Sequence, residues 1–202
     1  NKFIEISFQR IPTMKKNELD FQNLPFAYMK TPFRFVARYK DGVWEKGKLT
    51  RNAEIVLSES AGVLQYAQTC FEGLKAYKTK EGKVQLFRPD MNAKRTNNTN
   101  KRMCMPQIDE DLFVDAVKAL VDIDRDWIPE KKDTSLYIRP FMFATEPFLG
   151  VAASKTYTFM IILSPVGPYY ENGLAPTRIY VENEYIRSAM GGTGFAKIGG
   201  NY

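Results

Sequence analysis

Lys197 lies among residues with almost no side chain: Gly191-Gly192-Thr193-Gly194-Phe195-Ala196-Lys197-Ile198-Gly199-Gly200-Asn201-Tyr202. Glycine lets a backbone approach a ligand closely and adopt positive φ, and it offers an amine nothing to pair with. A lysine nucleophile must be neutral part of the time, and burial away from carboxylates favours that form. No Asp or Glu follows Glu184. The segment therefore reads as the setting of a reactive amine. A disordered Gly-rich tail with a solvated lysine has a similar composition, but the apolar Phe195, Ala196 and Ile198 argue for a folded segment.

The chain contains no histidine, which removes Ser-His and Cys-His nucleophile systems and the usual imidazole metal sites. Acid–base work must then rest on Lys, Tyr, Asp, Glu or a cofactor. The two cysteines, Cys70 and Cys104, form neither a CxxC motif nor a disulfide framework. No apolar run reaches the length of a membrane span, and Asn1 opens no secretory signal pattern, so the expected setting is cytoplasmic, with no membrane partner. The net charge is +6, and the run Lys94 to Arg102 is basic but has no interleaved aromatics to stack bases. It reads as a polar helix face with one arginine reserved for an anion, and no nucleic-acid partner is expected.

The elements that must position these residues follow from periodicity. At 202 residues and 44% hydrophobic, the chain can hold one full domain and part of a second. Phe33 to Tyr39 alternates, Asp41-Gly42 turns, and Val43 to Glu45 returns, which is a hairpin signal. Ser60 to Glu72 has helical spacing (Val63, Leu64, Ala67, Phe71), with Ser60 as N-cap. Leu74 to Lys78 and Val84 to Phe87 flank a turn at Glu81-Gly82. Pro89 opens a helix to about Met105, and Asp109 or a neighbour caps an amphipathic helix to about Asp124. Two strands follow, Ser135 to Phe143 and Thr156 to Leu163, and then a turn-rich segment from Pro165 to Pro176. Thr177 to Glu182 reads as a new strand. The fold class is α+β: an N-terminal arm over 1–31, a small mixed domain over 32–166, a linker over 167–177, and the first strand of a larger, truncated domain over 178–202.

Four further segments stand in order before the lysine: Tyr66 to Tyr77 (containing Phe71-Glu72-Gly73), Leu86 to Arg95, Leu136 to Phe141 (containing Tyr137-Ile138-Arg139-Pro140), and Ser164 to Tyr169. Each alone has a structural explanation. Strand alternation puts Tyr137 and Arg139 on one face, for example, which could simply meet water. Together, and followed by Lys197 to Tyr202, they are specific. From about Ala37 to Tyr202 the chain resembles the branched-chain amino-acid aminotransferases, pyridoxal 5'-phosphate enzymes of fold type IV.

The resemblance implies roles residue by residue. Lys197 would be the catalytic residue, holding the cofactor as a Schiff base and then shuttling the substrate Cα proton. Arg95, not Arg88, would grip the cofactor phosphate, and Tyr202 would hydrogen-bond the phenolic oxygen. Tyr66, Phe71, Tyr137, Val151 and Tyr169 would line the substrate pocket. Arg139 would meet the distal carboxylate of the amino-group acceptor. The partners implied are small amino acids and 2-oxo acids (Leu, Ile and Val exchanging with 2-oxoglutarate), together with a second copy in a homodimer in which a small-domain loop reaches the neighbour's site. The family continues well past the lysine, so a piece ending at Tyr202 is expected to bind cofactor poorly and turn over little. The alternatives are a D-amino-acid aminotransferase or aminodeoxychorismate lyase of the same fold, or a non-catalytic basic module suggested by the charge.

Overall fold

The structure, a computed structural model, describes residues 4–6, 19–170, 173 and 175–202. In chain order the strands and α-helices are β1 (Ile4–Ile6), β2 (Arg34–Lys40), β3 (Val43–Trp44), β4 (Gly47–Thr50), α1 (Gly62–Tyr66), β5 (Thr69–Phe71), β6 (Leu74–Lys78), β7 (Val84–Leu86), α2 (Pro89–Arg102), α3 (Glu110–Ile123), β8 (Ser135–Ala144) and β9 (Tyr157–Val166). Among the described residues the strands join in one sheet, ordered β1-β4-β2-β9-β8-β6-β7, with β3 beside β2 and β5 beside β8. All pairings are antiparallel except β1 with β4. The mixture of helix and antiparallel strand is the expected α+β class.

β8 and β9 pair over their whole length and alternate strictly where it matters. Leu136, Ile138 and Met142 of β8 and Phe159, Ile161 and Leu163 of β9 are buried on one face. There α3 covers them with Phe113, Ala116, Val117, Leu120 and Val121, the i, i+3, i+4, i+7, i+8 stripe of an amphipathic helix. The rings of Phe35 and Phe113 both meet Phe159, at 6.0 and 5.6 Å. Asp109 caps α3 by accepting from the Leu112 N–H, as expected. The other face of β8 carries Tyr137, Arg139 and Phe141, all half-buried.

Two expected elements differ. The helix read over Ser60 to Glu72 is only the short α1. Ala67 takes a left-handed φ of 51° and ends it, Ser60 makes no cap, and Thr69–Phe71 becomes β5 along β8. Helical spacing in that stretch was a local signal, and hydrogen bonding to the open edge of β8 outweighs it. The strand read over Thr177 to Glu182 does not form, and Ile179, Tyr180 and Val181 are exposed. A strand needs a neighbour to satisfy its N–H and C=O groups, and the described sheet supplies none there. The arm over 1–31 and the linker over 167–177 lie partly outside the described residues, including Pro12 and Asn172.

The run Lys94 to Arg102 is helical, but its Thr and Asn residues are not simply solvated. Thr96, Thr99 and Asn100 are buried, while Lys94, Arg95, Lys101 and Arg102 point outward. Asn97 clamps Ile108 through both its backbone groups (2.8 and 2.9 Å), and Asn100 Nδ2 donates to the Pro106 carbonyl. The inner face of α2 is therefore a polar one with its hydrogen bonds made.

Candidate active site

Pro140 falls on β8 where β5 gives way to β6. A proline has no N–H to offer a neighbour, and the chain beside it steps through Glu72 and Gly73, with the Glu72 N–H donating to the Pro140 carbonyl at 2.7 Å. At this step Phe71 and Glu72 meet different partners. The Phe71 ring meets Lys197 and Arg139, and the Glu72 carboxylate meets α2.

The lysine segment docks onto this step. Ala196 and Ile198 are buried in the hydrophobic core. The Lys197 N–H donates to Thr99 Oγ1 on α2 (3.0 Å), and the Lys197 carbonyl accepts from the Phe71 N–H (3.1 Å). Buried Asn201 closes the turn by donating to the Thr193 and Ala196 carbonyls. Both neighbours of Lys197 being anchored, its side chain is left half-buried, which excludes the free-tail reading. Nζ donates to the Tyr202 hydroxyl at 2.8 Å and lies 4.5 Å from the Phe71 ring centre. The Phe71 and Tyr202 rings are 5.3 Å apart.

Arg139 also meets Phe71. Its guanidinium carbon is 4.5 Å from that ring centre, and Nη2 donates to the Tyr137 hydroxyl at 2.8 Å. Gly73 leaves room for this arrangement, because a Cβ there would stand 2.5 Å from the Tyr137 hydroxyl. Phe26, which the periodicity did not single out, extends the aromatic wall, with ring centres 5.7 Å from Tyr137 and 5.0 Å from Tyr169. A pocket of about 240 Å³ opens here, lined by Phe26, Tyr28, Tyr137, Arg139 and Ile162 among others. A larger polar hollow on the same sheet, of about 380 Å³, is lined by Arg38, Lys48 and Thr158 among others and includes none of the expected site residues.

Arg95 projects from α2. Its Nε and Nη2 donate to the two carboxylate oxygens of Glu72 at 2.6 and 2.7 Å. Tyr202 is near enough to act on Arg95 electrostatically. Thus Lys197, Tyr202, Phe71, Arg139, Tyr137 and, through Phe26, Tyr169 come together, with Arg95 beside them. Among the described residues, Tyr66 and Val151 make no hydrogen bond or ring contact with this cluster. Tyr66 stacks on Phe148 at 5.8 Å and donates to the Leu149 carbonyl, and Val151 is 96% exposed. Glu72, Thr99 and Phe26 are the contributors that residue typing missed. Glu72 stood within the Phe-Glu-Gly block, but its partner lies 23 residues away.

The donor set suits a phosphorylated aldehyde: an amine beside a phenol hydroxyl, an aromatic ring against the amine, and a guanidinium with its outer edge open. No family model matches the chain. It is 51% identical over 189 residues to branched-chain-amino-acid transaminase 1 of Bacillus subtilis (strain 168), covering 93% of this chain and 53% of that protein. It is 43% identical over 186 residues to the branched-chain-amino-acid aminotransferase of Haemophilus influenzae, covering 92% and 54%. Among solved structures, that of a T.th. branched-chain amino acid aminotransferase with pyridoxamine 5'-phosphate matches with a TM-score of 0.61 at 25% identity, covering 82% of this chain and 52% of that one. The chain spans about half the length of the curated relatives it matches. That likeness runs over more than nine-tenths of the chain's residues, so the chain is similar, along about half their length, to branched-chain amino-acid aminotransferases.

Proposed function

We propose that this chain carries the lysine-bearing part of a cytoplasmic aminotransferase that exchanges the amino group between Leu, Ile or Val and 2-oxoglutarate with pyridoxal 5'-phosphate. The observation that carries the reading is the Lys197 amine, anchored by its backbone on both sides and set 2.8 Å from the Tyr202 hydroxyl against the Phe71 ring. Lys197 is the amine to which the cofactor aldehyde would attach, Tyr202 the hydroxyl for its phenolic oxygen, and Arg95 the cation for its phosphate. When bound, the cofactor supplies an electron sink that makes the substrate Cα proton removable. Lys197 Nζ is the base that takes that proton and later returns it. Phe71, Tyr137 and Tyr169 form an apolar wall for an aliphatic side chain, and Arg139 offers the charge that a glutamate side chain needs.

The test is covalent. In the complete enzyme, incubation with pyridoxal phosphate, reduction with borohydride and peptide mapping should give one adduct, on Lys197. Adducts scattered over surface lysines, or none, would overturn the reading.

Arg139→Met should separate the two substrates. The side chain keeps its bulk against Phe71 but loses a charge-assisted bond of about 2 kcal/mol, so KM for glutamate should rise roughly 30-fold. KM for leucine should move little. Equal losses for both would place Arg139 in the wall alone.

A homodimer is part of the proposal. Leu149 and Val151 are apolar yet 72% and 96% exposed on the loop after Pro147. Such a loop suits the pocket of a second copy, and that is where Val151 and Tyr66 would line substrate.

A further inference from the structure

Glu72 is a carboxylate in an unusual place, its side chain only 2% exposed while that of its ion-pair partner Arg95 is 51% exposed. A buried carboxylate must have its oxygens satisfied. Here Oε1 accepts from Arg95 Nε, and Oε2 accepts from Arg95 Nη2, from Asn92 Nδ2 at 2.8 Å and from the Gly73 N–H at 3.2 Å. The carboxylate is therefore fixed from three directions, and it holds the guanidinium side-on. That leaves Nη1, which has no hydrogen-bond partner among the described residues, at the open edge. The pair buries only the anion, so the guanidinium keeps an edge at the surface.

Its place in the chain gives it reach. Glu72 follows Phe71, whose N–H holds the Lys197 carbonyl and whose ring lies against Nζ. One dipeptide thus ties the amine on one side and the guanidinium on the other. An arginine stem has rotamer freedom to lose, and a half-exposed one on a helix surface would otherwise sample several positions.

We propose that Glu72 is a positioning residue that sets Arg95 at a fixed distance from Lys197, so that one phosphorylated aldehyde can engage both. The inference rests on the cofactor reading above. The same bidentate pairing offsets the charge of Arg95, so phosphate recognition here depends on the direction of the Nη1 edge more than on net charge.

The experiment compares two ligands with the same ring and aldehyde, pyridoxal phosphate and pyridoxal, by equilibrium titration of the complete enzyme. Glu72→Gln should weaken pyridoxal phosphate about tenfold, the loss of about one charge-assisted hydrogen bond, and leave pyridoxal within about twofold. In an Arg95→Met background the same change should add almost nothing, because both act through one contact. Should Glu72→Gln fail to fold, Glu72→Asp draws the carboxylate back from Arg95 while keeping the charge, and the same split between ligands is expected. Equal weakening of both ligands, or additive losses in the double variant, would make Glu72 a structural residue and overturn the inference. A native enzyme that binds pyridoxal phosphate no better than pyridoxal would overturn the cofactor reading with it. Native discrimination that survives Glu72→Gln would overturn the positioning role alone.

Discussion

Lys197→Ala should abolish transamination in the complete enzyme while leaving the fold intact. Positioned proton transfer alone contributes on the order of 10²–10⁴, and the variant also loses the amine that would carry the cofactor, so a fall of at least ~10⁴ in kcat is expected. The stability cost should be small. The segment is held by Ala196 and Ile198 in the core and by backbone bonds to Thr99 and Phe71, none of which involves the lysine side chain. The side chain itself makes one hydrogen bond, to Tyr202. A Tm close to the parent, together with partial recovery of turnover by a small primary amine in the medium, would identify the missing group as an amine. Activity within tenfold of the parent would end the assignment of Lys197 as the base.

Asp124→Asn should change stability more than any surface substitution, and in a pH-dependent way. Asp124 ends α3 and is 2% exposed. Its Oδ2 accepts from the Phe33 N–H at 3.0 Å. Burial raises its carboxyl from 3.8 to about 6, against the opposing pull of that N–H, Thr31, Arg34 and Arg51. A carboxyl raised in the folded state binds more protons there than in the unfolded chain between pH 3.8 and 6. Its contribution is therefore full below about pH 3.8 and is lost as pH rises to about 6. The loss is about 3 kcal/mol, from a shift of roughly two units. Asparagine keeps an oxygen for Phe33 and never ionises. The variant should therefore be the more stable protein at pH 7, and the difference between the two stability curves should slope between pH 4 and 6 and flatten above. A variant several kcal/mol less stable at pH 7 would show instead that Arg34 and Arg51 require the anion, as when one partner of a buried pair is removed.

Much of the fold could be read from local pattern. The α3 stripe, the Asp109 cap, the proline that opens α2 and the alternation of β8 all depend on residues within a few positions of one another. The same holds for Tyr137 and Arg139 sharing a face. The errors lie where a distant partner decides. β5 is a strand because the edge of β8 lies beside it, and Thr177 to Glu182 is not one because no described strand does. The polarity of the Thr-Asn face of α2 was visible in the sequence, whereas the backbone groups it binds were not.

By itself, the sequence determined that one lysine would stand between apolar anchors in a glycine setting, that no histidine could share its chemistry, and that an arginine and a tyrosine would leave one strand together. Those are matters of residue type and short period. Only the tertiary structure decided that Phe71 would meet both that lysine and that arginine, that Thr99 would hold the Lys197 backbone across 98 residues, and that Glu72 would claim Arg95. Contacts of that span are selected by the packing of the whole sheet against its helices, and no local spacing encodes them.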